Sequence, residues 1–128
     1  MSIHKILLVE DSPTERFALN EFLTKNGFYV ITAETGEEGI TKAKSEQPDL
    51  ILMDVVMPGI NGYQATRTIT RDDSTRHIPV IMCTSKGQET DMIWGMRQGA
   101  LDYMVKPIDR SPLWAECAHT HGKANQPT

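Results

Sequence analysis

The sequence predicts an α/β fold in which a five-stranded parallel sheet is doubly wound, with helices on both faces. Short apolar runs alternate with stretches of helical periodicity five times along the 128 residues, and this alternation favours a parallel sheet with right-handed crossovers. Residues 50–53 are apolar at every position, as expected for a strand that is buried on both faces. The length suffices for one domain with a single core.

The first strand and the first helix are indicated by an apolar run and a helix-start signal. Residues 5–9 are mostly apolar and are predicted to form the strand. Ser12 then acts as an N-cap, with Glu15 at the capping-box position. The helix is expected to run to about residue 26, where Gly27 is placed as a C-terminal cap. Its buried face is predicted from helical spacing to be Ala18, Leu19, Phe22 and Leu23.

The next part of the chain predicts two strands and two helices. Residues 28–33 form a β-rich run, and a polar helix follows it before Pro48. After the strand at residues 50–53, Gly62 opens a third helix that extends to about residue 71. The inward side chains of these two helices are expected to be Ile40, Ala43, Ala65 and Ile69.

The last regular elements are a strand at residues 79–83, a helix at about residues 89–98 with Gly99 as its cap, and a strand at residues 103–105. The segment that follows starts as a helix but continues with poor helix formers. We therefore predict a domain core at residues 1–110. A short last helix and a disordered tail are expected at residues 111–128.

Composition and charge exclude several classes of protein. A net charge of −4 without a basic run argues against direct DNA binding. The two cysteines, Cys83 and Cys117, form no disulfide framework and fit a reducing compartment. The N-terminal apolar run is too short for a signal peptide or a membrane span. The protein is predicted to be cytoplasmic, with no membrane association.

Polar side chains follow four of the predicted strands. Glu10 and Asp11 follow the first strand, Asp54 the third, Thr84 the fourth and Lys106 the last. The carboxyl ends of parallel strands meet at one edge of the sheet, where ligands bind in open α/β folds. A single aspartate at a strand end is also a common turn residue, so the prediction of a site depends on the whole set.

The chemistry of this set favours phosphoryl transfer with a divalent ion. Crowded carboxylates repel one another unless a cation neutralises them, and Mg²⁺ prefers such oxygen ligands, whereas no Cys and His set here suits zinc. Lys106 and the Thr84 hydroxyl are groups that bind phosphoryl oxygens. Asp54 would be the nucleophile, because carboxylates accept phosphoryl groups as acyl phosphates.

Residues 6–107 resemble the receiver domain of the two-component response-regulator family, which has a flavodoxin-like, CheY-like fold. The resemblance rests on five features in order: Glu10-Asp11; Asp54 with Met57-Pro58-Gly59 and Gly62; Thr84-Ser85; Tyr103; and Lys106-Pro107.

The resemblance implies a role for each residue of the site. Asp54 would take a phosphoryl group from a histidine kinase phosphohistidine, and Lys106 would contact that group. Thr84 and Tyr103 would be the switch pair. Mg²⁺, or Mn²⁺ in its place, would be bound by Asp11, Asp54 and the backbone carbonyl of Val56, with Glu10 in support.

Within the family, the sequence is most similar to the stand-alone, chemotaxis-type receivers of type IV pilus systems, the PilH type. The similar runs are Asp11-Ser12-Pro13-Thr14-Glu15, residues 61–67 and residues 88–100. This implies a role in twitching motility or chemotaxis-like signalling, with a chemotaxis-type kinase as donor. A downstream protein would bind the face formed by the fourth helix, last strand and final helix. Because residues 109–128 offer little apolar cover for that face, a homodimer is a possible outcome.

Four alternative functions share features with a phosphorylated receiver. A haloacid dehalogenase-type enzyme would need a second acid where Val56 stands, and a flavodoxin-type cofactor binder would have its phosphate repelled by Glu10 and Asp11. An unphosphorylated interaction module and a phosphate sink that competes with another receiver stay open. The protein is predicted to catalyse only its own phosphotransfer and autodephosphorylation, and not to be an enzyme acting on other substrates.

Overall fold

The structure is a computed structural model that describes residues 3–55, 59–84 and 97–105, with the backbone alone for residues 84 and 102–105. Five parallel strands form one sheet in the order β2-β1-β3-β4-β5. The strands are β1 (Lys5–Val9), β2 (Tyr29–Ala33), β3 (Leu50–Asp54), β4 (Val80–Thr84) and β5 (Asp102–Val105). The predicted parallel α/β fold is therefore confirmed, with β3 at the centre of the sheet.

Three helices connect these strands within the described residues: α1 (Pro13–Lys25), α2 (Gly36–Glu46) and α3 (Gly62–Arg71). Each begins at a side chain that caps it, because the hydroxyls of Ser12 and Thr35 and the amide of Asn61 accept a backbone N–H three residues ahead. Arg97 is helical, and Gly99 follows it with a φ of +103°. The rest of the predicted fourth helix, and everything after residue 105, lies outside the described residues.

The sheet has an apolar core on each face, because successive side chains of a strand point to opposite sides. On the face covered by α2 and α3, the strand residues Leu7, Val9, Ile51, Met53, Val80 and Met82 pack with Ala43, Ala65 and Ile69. On the face covered by α1, the strand residues Ile6, Leu8, Leu50, Leu52, Ile81 and Cys83 pack with Leu23 and Phe28. Burial of β3 on both faces explains why its sequence is continuously apolar.

The predicted burial of one residue of α1 is wrong. Ala18 is exposed, whereas Leu23 is fully buried and Leu19 and Phe22 pack partly against the core. The inward stripe of α1 includes Arg16, whose side chain is only 19% exposed because it folds against the sheet edge. This stripe is rotated away from Ala18.

Candidate functional site

Three carboxylates meet at the carboxyl edge of the sheet. Strands β1 and β3 are hydrogen-bonded neighbours with Val9 opposite Met53, so the residues that follow each of them lie side by side. Glu10, Asp11 and Asp54 each place a carboxylate oxygen within 4.8 Å of the other two. The structure therefore brings together the three acids that the sequence places at strand ends.

The acidic cluster is largely removed from water. Asp54 is 6% exposed and Glu10 is 2% exposed, while Asp11 is half-buried. Burial of charged groups costs free energy unless hydrogen bonds or counter-charges compensate it. Part of the compensation comes from the backbone N–H of Ser12, which donates to Glu10 Oε2 at 3.2 Å. The remaining repulsion makes the cluster a favourable place for a cation.

Arg16 holds the backbone of the acidic pair. Its Nη1 donates to the carbonyl oxygen of Glu10 at 2.9 Å and to that of Asp11 at 3.4 Å, while its Nη2 lies 3.8 Å from the Glu34 carboxylate. The guanidinium thus fixes where the two acids sit without pairing with either carboxylate in these contacts. This role of Arg16 was not predicted from the sequence. The available signal was an arginine one turn into the helix that follows an acidic pair.

The backbone of Asp54 is fixed from two sides. Beyond Asp54, the N–H of Val55 donates to the carbonyl of Cys83 at 3.1 Å, which extends the pairing of β3 with β4. The N–H of Gly62 donates to the carbonyl of Val55 at 2.9 Å. A Cβ on Gly62 would overlap the carbonyl oxygen of Asp54 and lie 2.9 Å from the Cα of Val55. Glycine is therefore required where the loop returns against the end of β3.

The other predicted site residues are placed only in part. Asp54 pairs with Cys83 and Thr84 pairs with Val105, so the backbone of Thr84 lies at the same edge, one strand from Asp54. Tyr103, on β5, pairs with Met82 of β4. The side chains of Thr84 and Tyr103, together with all of Val56 and Lys106, lie outside the described part of the structure.

The donor set fits a hard divalent cation. The cluster consists of carboxylates alone, and oxygen ligands are those that Mg²⁺ prefers. Zinc sites in proteins usually include cysteine or histidine, and neither is part of the cluster. Asp11 is half-buried, so one of the three carboxylates is partly in contact with solvent.

Comparison with known proteins identifies a family for most of the chain. The model of the response regulator receiver domain family matches residues 6–118. The chain is similar to protein PilH of Pseudomonas aeruginosa, with 54% identity over 109 residues that cover 85% of this chain and 90% of PilH. None of the helices in the described ranges is both long and apolar enough to cross a bilayer.

Two solved structures resemble the fold closely. The chemotaxis protein CheY4 of Vibrio cholerae superposes with a TM-score of 0.84 at 28% identity, over 90% of this chain and 96% of that one. The receiver domain of the sensor histidine kinase PA1611 from Pseudomonas aeruginosa has a magnesium ion coordinated in its active-site cleft. It gives a TM-score of 0.83 at 31% identity, over 91% and 95% of the two chains. The parallel sheet and the acidic cluster agree with these matches. The chain belongs to the response regulator receiver domain family.

Proposed function

We propose that this chain is a PilH-like response regulator that accepts a phosphoryl group on Asp54 from the phosphohistidine of a chemotaxis-type histidine kinase. The observation behind the proposal is the position of Asp54, at the end of the central strand, 6% exposed and beside Glu10 and Asp11. A structural aspartate at a strand end does not need two further carboxylates, since their repulsion costs stability. A site for a cation and a phosphoryl group explains all three.

The residues present fit Mg²⁺, with Mn²⁺ as a substitute. Asp11 and Asp54 would hold the ion with the backbone carbonyl of Val56, and Glu10 would support the cluster. When bound, the ion supplies positive charge that neutralises the acids and the phosphoryl oxygens. The magnesium in the PA1611 receiver supports this part of the proposal.

The phosphotransfer step uses the carboxylate of Asp54 as nucleophile. One carboxylate oxygen forms a bond to phosphorus while the bond from phosphorus to the donor imidazole nitrogen breaks. The imidazole leaves with that electron pair and takes up a proton from solvent. Lys106 and the Thr84 hydroxyl would bind the phosphoryl oxygens, and the limited solvent access of Asp54 strengthens these interactions.

The output step would follow from the added charge. A phosphoryl group on Asp54 brings nearly two negative charges, which would draw the Thr84 hydroxyl inward and make room for Tyr103 to rotate. The loop after β4 and Tyr103 form the proposed bistable element. The switched face, formed by the fourth helix, β5 and the final helix, would bind a downstream protein or a second copy of the chain. The similarity to PilH supports a role in twitching motility or chemotaxis-like signalling.

The domain division at residues 110 and 111 is part of the same proposal. Limited proteolysis followed by mass measurement tests it, with a protected core expected to end near residue 110. A protected fragment that includes the whole of residues 111–128 would contradict the division.

The deciding experiment is phosphorylation by a small donor. Incubation with Mg²⁺ and acetyl phosphate should add one phosphoryl group, which peptide mass mapping should locate on Asp54. Asp54→Asn should abolish labelling, whereas Asp73→Asn, which removes a carboxylate that is 94% exposed, should leave it unchanged. Stoichiometric labelling of Asp54→Asn would overturn the assignment. An unlabelled wild-type protein that still binds a partner would favour the interaction-module alternative.

A further inference from the structure

A second concave region lies at the opposite edge of the sheet from the acidic cluster. It is a cleft of about 680 Å³ between the end of α3, the turn that leads into β4 and the turn that leads into β5. We define this basic cleft by its lining residues: Thr70, Arg71, Arg76, His77, Ile78, Pro79, Arg97, Gln98, Gly99, Ala100 and Leu101. Its volume falls within the range of small-molecule sites, roughly 300–1,000 Å³.

The charge of the basic cleft is positive. Among the described residues its lining includes Arg71, Arg76 and Arg97 and no acidic side chain, although the protein as a whole has a net charge of −4. All three arginines are exposed, so their guanidinium groups reach solvent at the mouth. Guanidinium groups bind phosphate oxygens with planar, paired hydrogen bonds. The cleft is therefore suited to an anion, and to phosphate in particular.

Two described carboxylates next to the lining, Asp72 and Asp73, do not neutralise these arginines strongly. Asp72 accepts hydrogen bonds from the hydroxyl and the backbone N–H of Ser74 and lies 3.3 Å from Lys44. These interactions lower the pKa of Asp72 to about 2 and commit its charge elsewhere. Asp73 lies 3.6 Å from Arg76, but both side chains are largely exposed, and such surface pairs contribute little in water.

Part of the lining of the basic cleft is apolar. Ile78 and Ala100 are buried, so the accessible apolar surface comes from Pro79 and from Leu101, which is 45% exposed. An inorganic anion would gain nothing from these two residues. A ligand that joins phosphate to a flat, weakly polar ring would contact both the guanidinium groups and this apolar surface.

The walls of the cleft are held in place by hydrogen bonds and close contacts. The Thr70 hydroxyl at the end of α3 lies 2.8 Å from the carbonyl oxygens of both Thr66 and Gln98 and donates to one of them at a time. Gly99 approaches Thr70 so closely that a Cβ would lie 2.6 Å from its Oγ1. The fully buried Thr75 donates to the carbonyl of Ile69 at 2.7 Å. These contacts fix the turns on both sides of the cleft before any ligand arrives, which lowers the entropic cost of binding.

We propose that the basic cleft binds a nucleoside phosphate. Arg71, Arg76 and Arg97 bind the phosphate groups, and Pro79 and Leu101 contact the heterocycle. The site is separate from the acidic cluster, since Pro79 and Leu101 precede β4 and β5 whereas Asp54 ends β3. Binding does not require phosphorylation of Asp54.

Calorimetric titration of the full chain with ATP and with GTP tests the proposal. Saturable binding of at least one nucleotide is expected, with pyrophosphate and the free nucleosides at least tenfold weaker, because each makes only half of the contacts. Arg97→Gln should weaken nucleotide binding about tenfold, as loss of a charge-assisted hydrogen bond does. Arg67→Gln is the matched control, since it removes an exposed arginine of α3 that does not line the cleft.

Each other outcome overturns the proposal in a defined way. Equal affinity for pyrophosphate and nucleotides would show a phosphate site without a heterocycle contact. Equal losses in Arg67→Gln and Arg97→Gln would show a diffuse surface effect. The absence of both heat and amide NMR shifts at millimolar nucleotide would remove the site, since binding with an enthalpy near zero gives no heat. Asp54→Asn should bind nucleotide like the wild type, so this test is independent of the proposed phosphorylation.

Discussion

The two edges of the sheet bear opposite charges and hold them differently. At the carboxyl edge, Glu10 and Asp54 are 2% and 6% exposed and directly continue or end a strand. At the amino edge, the three arginines of the basic cleft are exposed and lie on turns and helix ends. The acids are positioned by the backbone hydrogen bonds of the sheet. The arginines are attached to a fixed backbone, but their long side chains are flexible.

This difference indicates what each edge is suited to do. Buried carboxylates held a few ångströms apart meet an ion and a phosphoryl group with little rearrangement, which favours chemistry at one atom. Exposed guanidinium groups adapt to a ligand and lose side-chain entropy when they bind it, which favours reversible binding.

The largest expected effect is the response of the carboxyl edge to metal removal. EDTA should slow phosphorylation by acetyl phosphate about 100-fold or more, since metal stabilisation of transferring charge amounts to several kcal/mol. Phosphate incorporation followed over time measures it, with restoration by Mg²⁺ or Mn²⁺ as the control. Equal rates with and without chelator would show that the acidic cluster does not act through a metal.

Gly62→Ala should disturb the same edge through its backbone. The new Cβ would overlap the carbonyl of Asp54, so the loop or the end of β3 must shift, at a cost of about 3 kcal/mol in the free energy of unfolding. Gly39→Ala is the comparison, because its Cβ would lie 2.8 Å from Cγ2 of the buried Val9, so that a side chain and no backbone must shift. The higher helix propensity of alanine offsets ~1 kcal/mol of that cost, and the loss should be smaller than in Gly62→Ala. Urea unfolding compares them. Similar losses in both variants would contradict the special role of Gly62.

Exposed aromatic residues near the two edges give the next test. Phe17 is 68% exposed on α1, one turn from Ser12, whereas Tyr29 is 62% exposed at the start of β2. We expect a protein donor to approach Asp54 beside α1, which follows the acidic pair and exposes Phe17. Phe17→Ala should then slow transfer from a phosphorylated kinase about tenfold. Transfer from acetyl phosphate should not change, and Tyr29→Ala should affect neither. An equal effect on both donors would mean that Phe17 acts on the site and not on docking.

Arg16→Lys should weaken Mg²⁺ binding about tenfold, as changes behind metal ligands commonly do. A lysine ammonium lacks the planar fork with which Arg16 reaches the carbonyl oxygens of Glu10 and Asp11. Amide NMR shifts during a Mg²⁺ titration measure the affinity. Glu34→Gln removes the ion pair of Arg16 but not those bonds, so it should bind Mg²⁺ like the wild type. An equal loss of Mg²⁺ affinity in Glu34→Gln would show that the charge balance around Arg16, and not the position of the Glu10 and Asp11 backbone, controls binding.

The smallest expected effect is the acid sensitivity of the amino edge. The pKa of Asp72 is lowered from 3.8 to about 2, first by the Ser74 hydroxyl, then by the Ser74 N–H and Lys44. A lowered pKa means that the ionised group stabilises the folded state above about pH 4, and that this contribution is lost as pH falls toward 2. The difference in stability between wild type and Asp72→Asn should shrink over that window. A constant difference would show that Asp72 titrates normally.

The strands and the acidic cluster could be predicted from the sequence for a local reason. Apolar runs identify strands, and an acid that follows a strand must lie at its carboxyl end. Once the strands are parallel, Glu10, Asp11 and Asp54 share one edge. The position of Ala18 was predicted wrongly because helical spacing alone does not show that Arg16 belongs to the inward stripe of α1.

Only the tertiary structure decided the contacts that depend on the paths of turns and on side-chain rotamers. The Arg16 contacts with the Glu10 and Asp11 carbonyls, the approach of Gly62 to Asp54 and the assembly of the basic cleft from α3, β4 and β5 segments are of this kind. Arg71 and Arg97 are 26 positions apart in the sequence, and neither lies in a pattern that predicts the other as a neighbour. Strand ends are placed by regular backbone hydrogen bonding, and the periodicity of the sequence reveals the strands. The turns that bring these arginines together have no periodic sequence pattern, so their paths are not predicted.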